Sequence, residues 1–161
     1  MEQFLRTLPL EKPLDQPAAL ISKVAGAQAA HASRSNDLVV EAVDMAVPMS
    51  GEYFSRVVDE LVQNALKFSE AGSSVRVTLS EAFNGIELSV TDHGRGFSTE
   101  QIRRIGAYIQ FDRKMQDQQG LGLGLTIAKR LAELHGGSLL IDGRKGSGTT
   151  VTVKLPKAKQ D

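Results

Sequence analysis

The stretch from Gly51 to Phe68 constrains this chain most. Phe54, Val57, Val58, Leu61, Ala65 and Phe68 fall on one helical face, so the segment forms an amphipathic helix that must bury a continuous apolar stripe. Pro48 and Ser50 precede it and mark its start. Val75, Val77 and Leu79 alternate, as do Ile86, Leu88 and Val90, and Asn84-Gly85 between the runs signals a hairpin ending at Asp92. Leu38 to Ala42, Leu139 to Asp142 and Thr149 to Leu155 read as further strands. Pro17 opens another helix, with Leu20, Ile21, Val24 and Ala27 at helical spacing as far as about His31. Leu123, Ile127, Leu131 and Leu134 mark one more, which Gly136 ends as a left-handed cap. The predicted fold is α+β, a two-layer α/β sandwich whose mixed, mostly antiparallel sheet is covered on one face by helices.

The remaining segments read as connections. Met1 to Asp15 is an irregular lead-in, and Ser98 with Gln101 forms a capping box for a short helix through Ile105. Gly106 to Gly120 is polar and aperiodic, the pattern of a mobile loop. A chain of 161 residues suits one domain. Its 19 Lys plus Arg balance 19 Asp plus Glu, which gives no basic field for nucleic acid or an anionic membrane. No apolar run approaches the roughly 20 residues of a membrane span. The absence of Cys excludes disulfides and thiolate metal sites, and a cytoplasmic location is expected.

On the helix from Gly51, the residues Glu60, Asn64 and Lys67 stand at i, i+4 and i+7, which places them in one narrow strip beside the apolar stripe. A carboxylate, an amide oxygen suited to Mg²⁺ and an ammonium suited to phosphate therefore share a rim. Alone, such a row is also an ordinary solvated helix face. Asp92-His93-Gly94-Arg95-Gly96 follows a strand directly, presenting a carboxylate and two glycines that admit close backbone approach. By itself it is equally a turn. Gly120-Leu121-Gly122-Leu123-Gly124-Leu125 then opens a helix, whose N-terminal N–H groups favour an anion, although a glycine hinge has the same composition.

In this order, the run Asp59 to Ser69, Asp92 to Gly96, Gly120 to Leu125 and Gly146-Ser147-Gly148-Thr149-Thr150 resembles the N, G1, G2 and G3 boxes of the gyrase, chaperone, histidine kinase and mismatch-repair ATPase superfamily. Tyr108, Phe111 and Arg113 resemble the F box of its histidine kinase branch. The resemblance spans Leu38 to Leu155 and implies the Bergerat ATP-binding fold of a bacterial sensor histidine kinase, with ATP and Mg²⁺ as cofactors. It implies that Asn64 ligates Mg²⁺, that Lys67 meets the phosphates and that Phe68 lies against adenine. Asp92 would accept from the adenine amino group, with Gly94 and Gly96 giving the base room. Tyr108 would line the nucleotide site, Gly120, Leu121, Gly122, Leu123 and Gly124 would close around the phosphates, and Arg113 would reach the γ-phosphate. Thr149 or Thr150 would support Asp92. Glu60 stands where many histidine kinases have Asn, and would serve either as general base or as a tether for metal-bound water. Tyr108 replaces the usual first Phe of the F box.

Kinases of this type carry the phosphorylated His on a dimerising helix, next to an acidic residue. His31, His93 and His135 lack that context and read as surface or capping residues. The expected organisation is therefore a lead-in with a helical stub of the dimerisation region at 1–35, the ATP-binding domain at 36–156 and a charged tail at 157–161. The chain then reads as an excised catalytic domain. Its partners would be the His-containing dimerisation domain of the same or another kinase and a response regulator downstream. The alternatives are a stand-alone partner-switching Ser/Thr kinase of anti-sigma type and a non-catalytic ATP or ADP sensor.

Overall fold

In a computed structural model, residues 12–94, 103, 123–144 and 147–158 are described. The elements are α1 (Pro17–His31), a 3-10 turn (Ser35–Asp37), β1 (Leu38–Ala42), α2 (Gly51–Lys67), β2 (Val75–Ala82), β3 (Gly85–Asp92), α3 (Leu123–Leu134), β4 (Ser138–Arg144) and β5 (Gly148–Pro156). The strands form one five-stranded sheet in the order β1-β2-β3-β5-β4, parallel only between β1 and β2. Strand alternation turns Val75, Val77, Leu79, Leu88, Val90, Val151, Val153 and Leu155 towards the helices. The opposite face carries hydroxyl rungs, Ser89 with Thr152 at 3.1 Å and Thr91 with Thr150 at 3.0 Å. This is the predicted mixed, mostly antiparallel sandwich.

The central helix α2 begins at Ser50, whose hydroxyl accepts from Tyr53 N at 3.2 Å and so satisfies one unpaired donor of the first turn. Phe54, Val57, Val58, Leu61, Val62 and Ala65 are buried against the sheet and the other helices. Each large side chain of that stripe stabilises the fold by roughly 1.5–3 kcal/mol relative to exposure. Phe68, expected to end the stripe, is instead the half-buried C-cap.

Two helical faces are rotated from the sequence reading. In α1 the buried residues are Pro17, Ile21, Ala25 and Ala29, while Leu20 and Val24 are half-buried and Ala27 is exposed. Small alanines let α1 approach α2 closely, and a scan weighted towards large side chains underrates them. In α3 the core takes Leu125, Ala128, Leu131 and Ala132, whereas Ile127 is half-buried and Leu134 is exposed. The predicted cap stands: Gly136 has φ +83, and Gly137 N bonds Ala132 O at 2.8 Å. Leu14, placed in the irregular lead-in, forms an antiparallel bridge with Val47 through hydrogen bonds of 3.0 and 2.8 Å. Ile21 and Ala25 of α1 belong to the same core as α2 and the sheet. The expected helix from Ser98 and the loop from Gly106 lie outside the described residues.

The hairpin turn is shifted by one residue. Ala82 pairs with Gly85, leaving Phe83-Asn84 as the two-residue loop, with Phe83 95% exposed. Gly85 is needed for a different reason than its turn signal suggested: a Cβ there would overlap the Leu155 carbonyl of β5. By contrast, a Cβ on Gly26 of α1 meets nothing within 4 Å. Gly85→Ala should therefore lower unfolding free energy by about 1–3 kcal/mol, and Gly26→Ala should raise it by about 0.5–1 kcal/mol. Denaturant titration of both variants checks the opposite signs.

Candidate functional site

Helix α2 brings Glu60, Asn64 and Lys67 to one wall of a cavity of about 530 Å³, together with Arg56 and Gln63. The end of α1 supplies Gln28, His31 and Ala32 to the opposite side, and the start of α3 supplies Gly124, Leu125 and Ile127. The row predicted from spacing alone is thus a cavity wall. Glu60 Oε1 pairs with Arg56 Nε at 3.0 Å, and its other carboxylate oxygen lies where a Cβ on Gly124 would stand. Glycine at 124 is what lets the first turn of α3 come down onto that carboxylate. Burial raises the Glu60 carboxyl above its usual range, Arg56 opposes this and neighbouring Asp59 adds to it. Lys67 Nζ stands 5.6 Å from the centroid of the Phe68 ring, within cation–π range.

Asp92 closes β3 on the helix-facing side of the sheet, between Val75 of β2 and Thr149 of β5, and is buried. Its Oδ1 accepts from Gly94 N at 2.8 Å. Burial pushes its carboxyl up, while the backbone N–H groups of Gly94 and Thr149 and the charges of His93 and Arg34 pull it down. Of the two threonines weighed for this role, Thr149 makes the contact. Thr150 faces the other side of the sheet, on Thr91. Two glycines fix the surroundings. Gly148, at φ +99, leaves room for the Asp92 carbonyl, and Gly94 leaves room for the Phe68 carbonyl at the end of α2.

Asp92 is not among the described residues lining the α2 cavity; it lies beyond Phe68, joined to α2 through Gly94. The described lining of that cavity comes from the three helices, whereas Asp92 sits on the helix-facing side of the sheet. Gly96, Tyr108, Phe111, Arg113, Gly120, Leu121 and Gly122 lie outside the described residues. Sequence spacing did not reveal the α1 wall. His31, expected as a surface residue near a helix end, is exposed and also lines the cavity. Arg56, four residues before Glu60, is the i,i+4 ion-pair partner that helical spacing also provides.

Residues 50–159 match the family described as histidine kinase-, DNA gyrase B-, and HSP90-like ATPase, and the chain belongs to that family. Within it, the relatives are sensor histidine kinases. Histidine protein kinase DivJ of Caulobacter vibrioides is 40% identical over 115 residues, covering 70% of this chain and 19% of DivJ. Heme sensor protein HssS of Staphylococcus saprophyticus is 35% identical over 130 residues, covering 78% of this chain and 28% of HssS. The chain therefore spans less than a third of these curated relatives. Among solved structures, the mycobacterial sensor histidine kinase MprB superposes with a TM-score of 0.74 at 28% identity, covering 92% of this chain and 99% of that one. The predicted recognition and fold class both stand: this is an ATP-binding domain of the histidine kinase type. No helix among the described residues is long and apolar enough to cross a membrane.

The buried Asp92 carboxylate has a consequence for pH dependence. Its carboxyl is raised in the folded state, so protonation is favoured by folding. This contribution is full below the ordinary carboxylate value of 3.8 and is lost as pH rises through the folded-state value. At pH 7 the ionised group opposes folding. Asp92→Asn keeps an acceptor for Gly94 and removes the charge, so it should melt higher than the parent at pH 7. The difference should shrink steadily as pH falls, which thermal unfolding across pH 3 to 8 measures.

Proposed function

We propose that this chain binds Mg-ATP and donates the γ-phosphoryl group to a histidine on a separate or removed dimerisation domain, in two-component signalling with a response regulator downstream. The observation that carries this reading is the joint placement of Asn64, Lys67 and Glu60 on one cavity wall, with buried Asp92 just past the end of the same helix. The cavity volume lies within the usual range for small-ligand sites. Magnesium takes hard oxygen ligands and shares them with phosphates, and the Asn64 amide with the Glu60 carboxylate one turn away suits that chemistry. A bound ion would neutralise phosphate charge, and its ligand here would be Asn64. Lys67 adds a positive charge beside it. Asp92, buried with one oxygen held by Gly94, offers its remaining acceptor capacity to an amino group, the feature that distinguishes adenine from guanine at that edge.

Phosphoryl transfer depends chiefly on positioning and charge neutralisation. These residues furnish both for the donor nucleotide, and the acceptor must come from elsewhere. Within this reading Phe68 lies against the base, Tyr108 lines the site, Gly96 gives the base room, and Gly120, Leu121, Gly122, Leu123 and Gly124 enclose the phosphates with Arg113. Glu60, half-buried beside Asn64 and paired with Arg56, would serve either as general base or as a tether for metal-bound water. A cytoplasmic location is part of the proposal.

Calorimetric titration tests the site. Asp92→Ala should abolish adenine-nucleotide binding, and Asn64→Ala should remove the Mg²⁺ dependence of whatever binding remains; parent-like binding by both refutes the assignment. Labelled ATP with a separately made His-bearing helical domain tests the reaction. Acid-labile, base-stable label on that domain is the expected product. Acid-stable label would favour the partner-switching Ser/Thr kinase, and binding without transfer would favour the nucleotide sensor.

A further inference from the structure

The segment that joins the two halves of the site is tied down by one buried side chain. Arg34, 6% exposed, sits in the connection between α1 and β1. Its Nη1 donates to Leu66 O at 2.9 Å, Ser69 O at 3.2 Å and Ser69 Oγ at 3.0 Å. Its Nη2 donates to Glu70 O at 2.8 Å and Ser73 O at 3.0 Å, and its Nε pairs with Asp37 Oδ2 at 2.7 Å. Asp37 Oδ2 accepts in turn from Gly72 N at 3.0 Å. Every acceptor on the far side belongs to the last turn of α2 or to the turn leading into β2.

Helix ends leave carbonyls without partners, and a left-handed glycine commonly supplies the missing donors. Here the C-cap is Phe68, with φ −103 and ψ 11, and no such glycine follows it directly. Ser69 Oγ caps Ala65 O at 2.7 Å, and the guanidinium takes Leu66 O from outside the helix. The carbonyl of Phe68 then packs against Gly94, whose N–H holds Asp92 Oδ1. The turn that Arg34 anchors also leads to Val75, the β2 partner of Asp92. Asn64, Lys67 and Phe68 on one side, and Asp92 on the other, are thus related through a turn that Arg34 holds.

We infer that Arg34 is a positioning residue for nucleotide binding, fixing the end of α2 relative to Asp92. The inference rests on the proposed nucleotide reading and goes beyond it by assigning a role to a residue outside the lining of the α2 cavity. The positive charge of Arg34 also acts on the Asp92 carboxylate and favours its ionised form. A lysine in its place keeps the charge but has one ammonium against the several acceptors that the planar fork engages.

The test is a double-mutant cycle read as calorimetric Kd for Mg-ADP, on the parent, Arg34→Lys, Asp92→Asn and the double variant. Thermal unfolding accompanies each to show that it is folded. Arg34→Lys should weaken binding about tenfold. Added to Asp92→Asn it should weaken binding by no more than about threefold further, because it acts through the same wall. Asp37→Asn, which loosens the guanidinium from its exposed side, is the second variant should Arg34→Lys not fold, and should follow the same pattern at smaller size. Parent-like affinity in the folded Arg34 or Asp37 variant overturns the inference. So do losses that multiply independently of Asp92, since a purely structural role gives that result. A parent that binds no Mg-ADP overturns the nucleotide reading itself, a distinguishable failure.

Discussion

A carboxylate at the edge of a largely aliphatic sheet face is the constraint on which this structure turns. The helix-facing side of β3 reads Ile86, Leu88, Val90 and then Asp92, so the alternation that builds the core delivers an acid to its edge. Burying that acid costs free energy unless donors and charges meet it. Gly94, Thr149, His93 and Arg34 do so incompletely, since the carboxyl remains raised. Groups held in this way at the rim of a core are disposed to accept a ligand donor.

The same economy governs α2. Its stripe from Phe54 to Ala65 secures the helix to the sheet, and the adjacent strip is left to carry Glu60, Asn64 and Lys67 along a cavity. Neither face can be shifted by one residue without moving the other, so the position of the polar row follows from burial of the apolar one. Placement of these side chains is therefore a property of the core. The backbone adds to it at Gly94 and, in the first turn of α3, at Gly124, where the absence of a side chain allows close approach to Phe68 and Glu60.

Much of this was legible from the chain. The period of α2 fixed which residues share a rim, and the hairpin pattern ended its second strand at Asp92. The caps at Ser50 and Gly136 follow local rules that depend on few neighbours. What escaped reading was of two kinds. Alanines such as Ala25 and Ala29 carry little weight in a hydrophobic pattern, although closeness of approach makes them central to α1. Apart from Asp37, Arg34 finds its partners 32 to 39 residues away, and no local period marks a side chain whose acceptors are distant backbone carbonyls. Asn84-Gly85 signalled the hairpin, but Gly85 answers to crowding from β5, which the turn rule does not contain.

The back of the sheet has its own bearing on how such a domain behaves when attached to something larger. Ser89, Thr152, Thr91 and Thr150 present paired hydroxyls there, not a contiguous greasy surface of the kind that drives adhesion. Whatever abuts that side of the domain meets paired hydroxyls, with Leu140 of β4 as an exposed apolar side chain beside them.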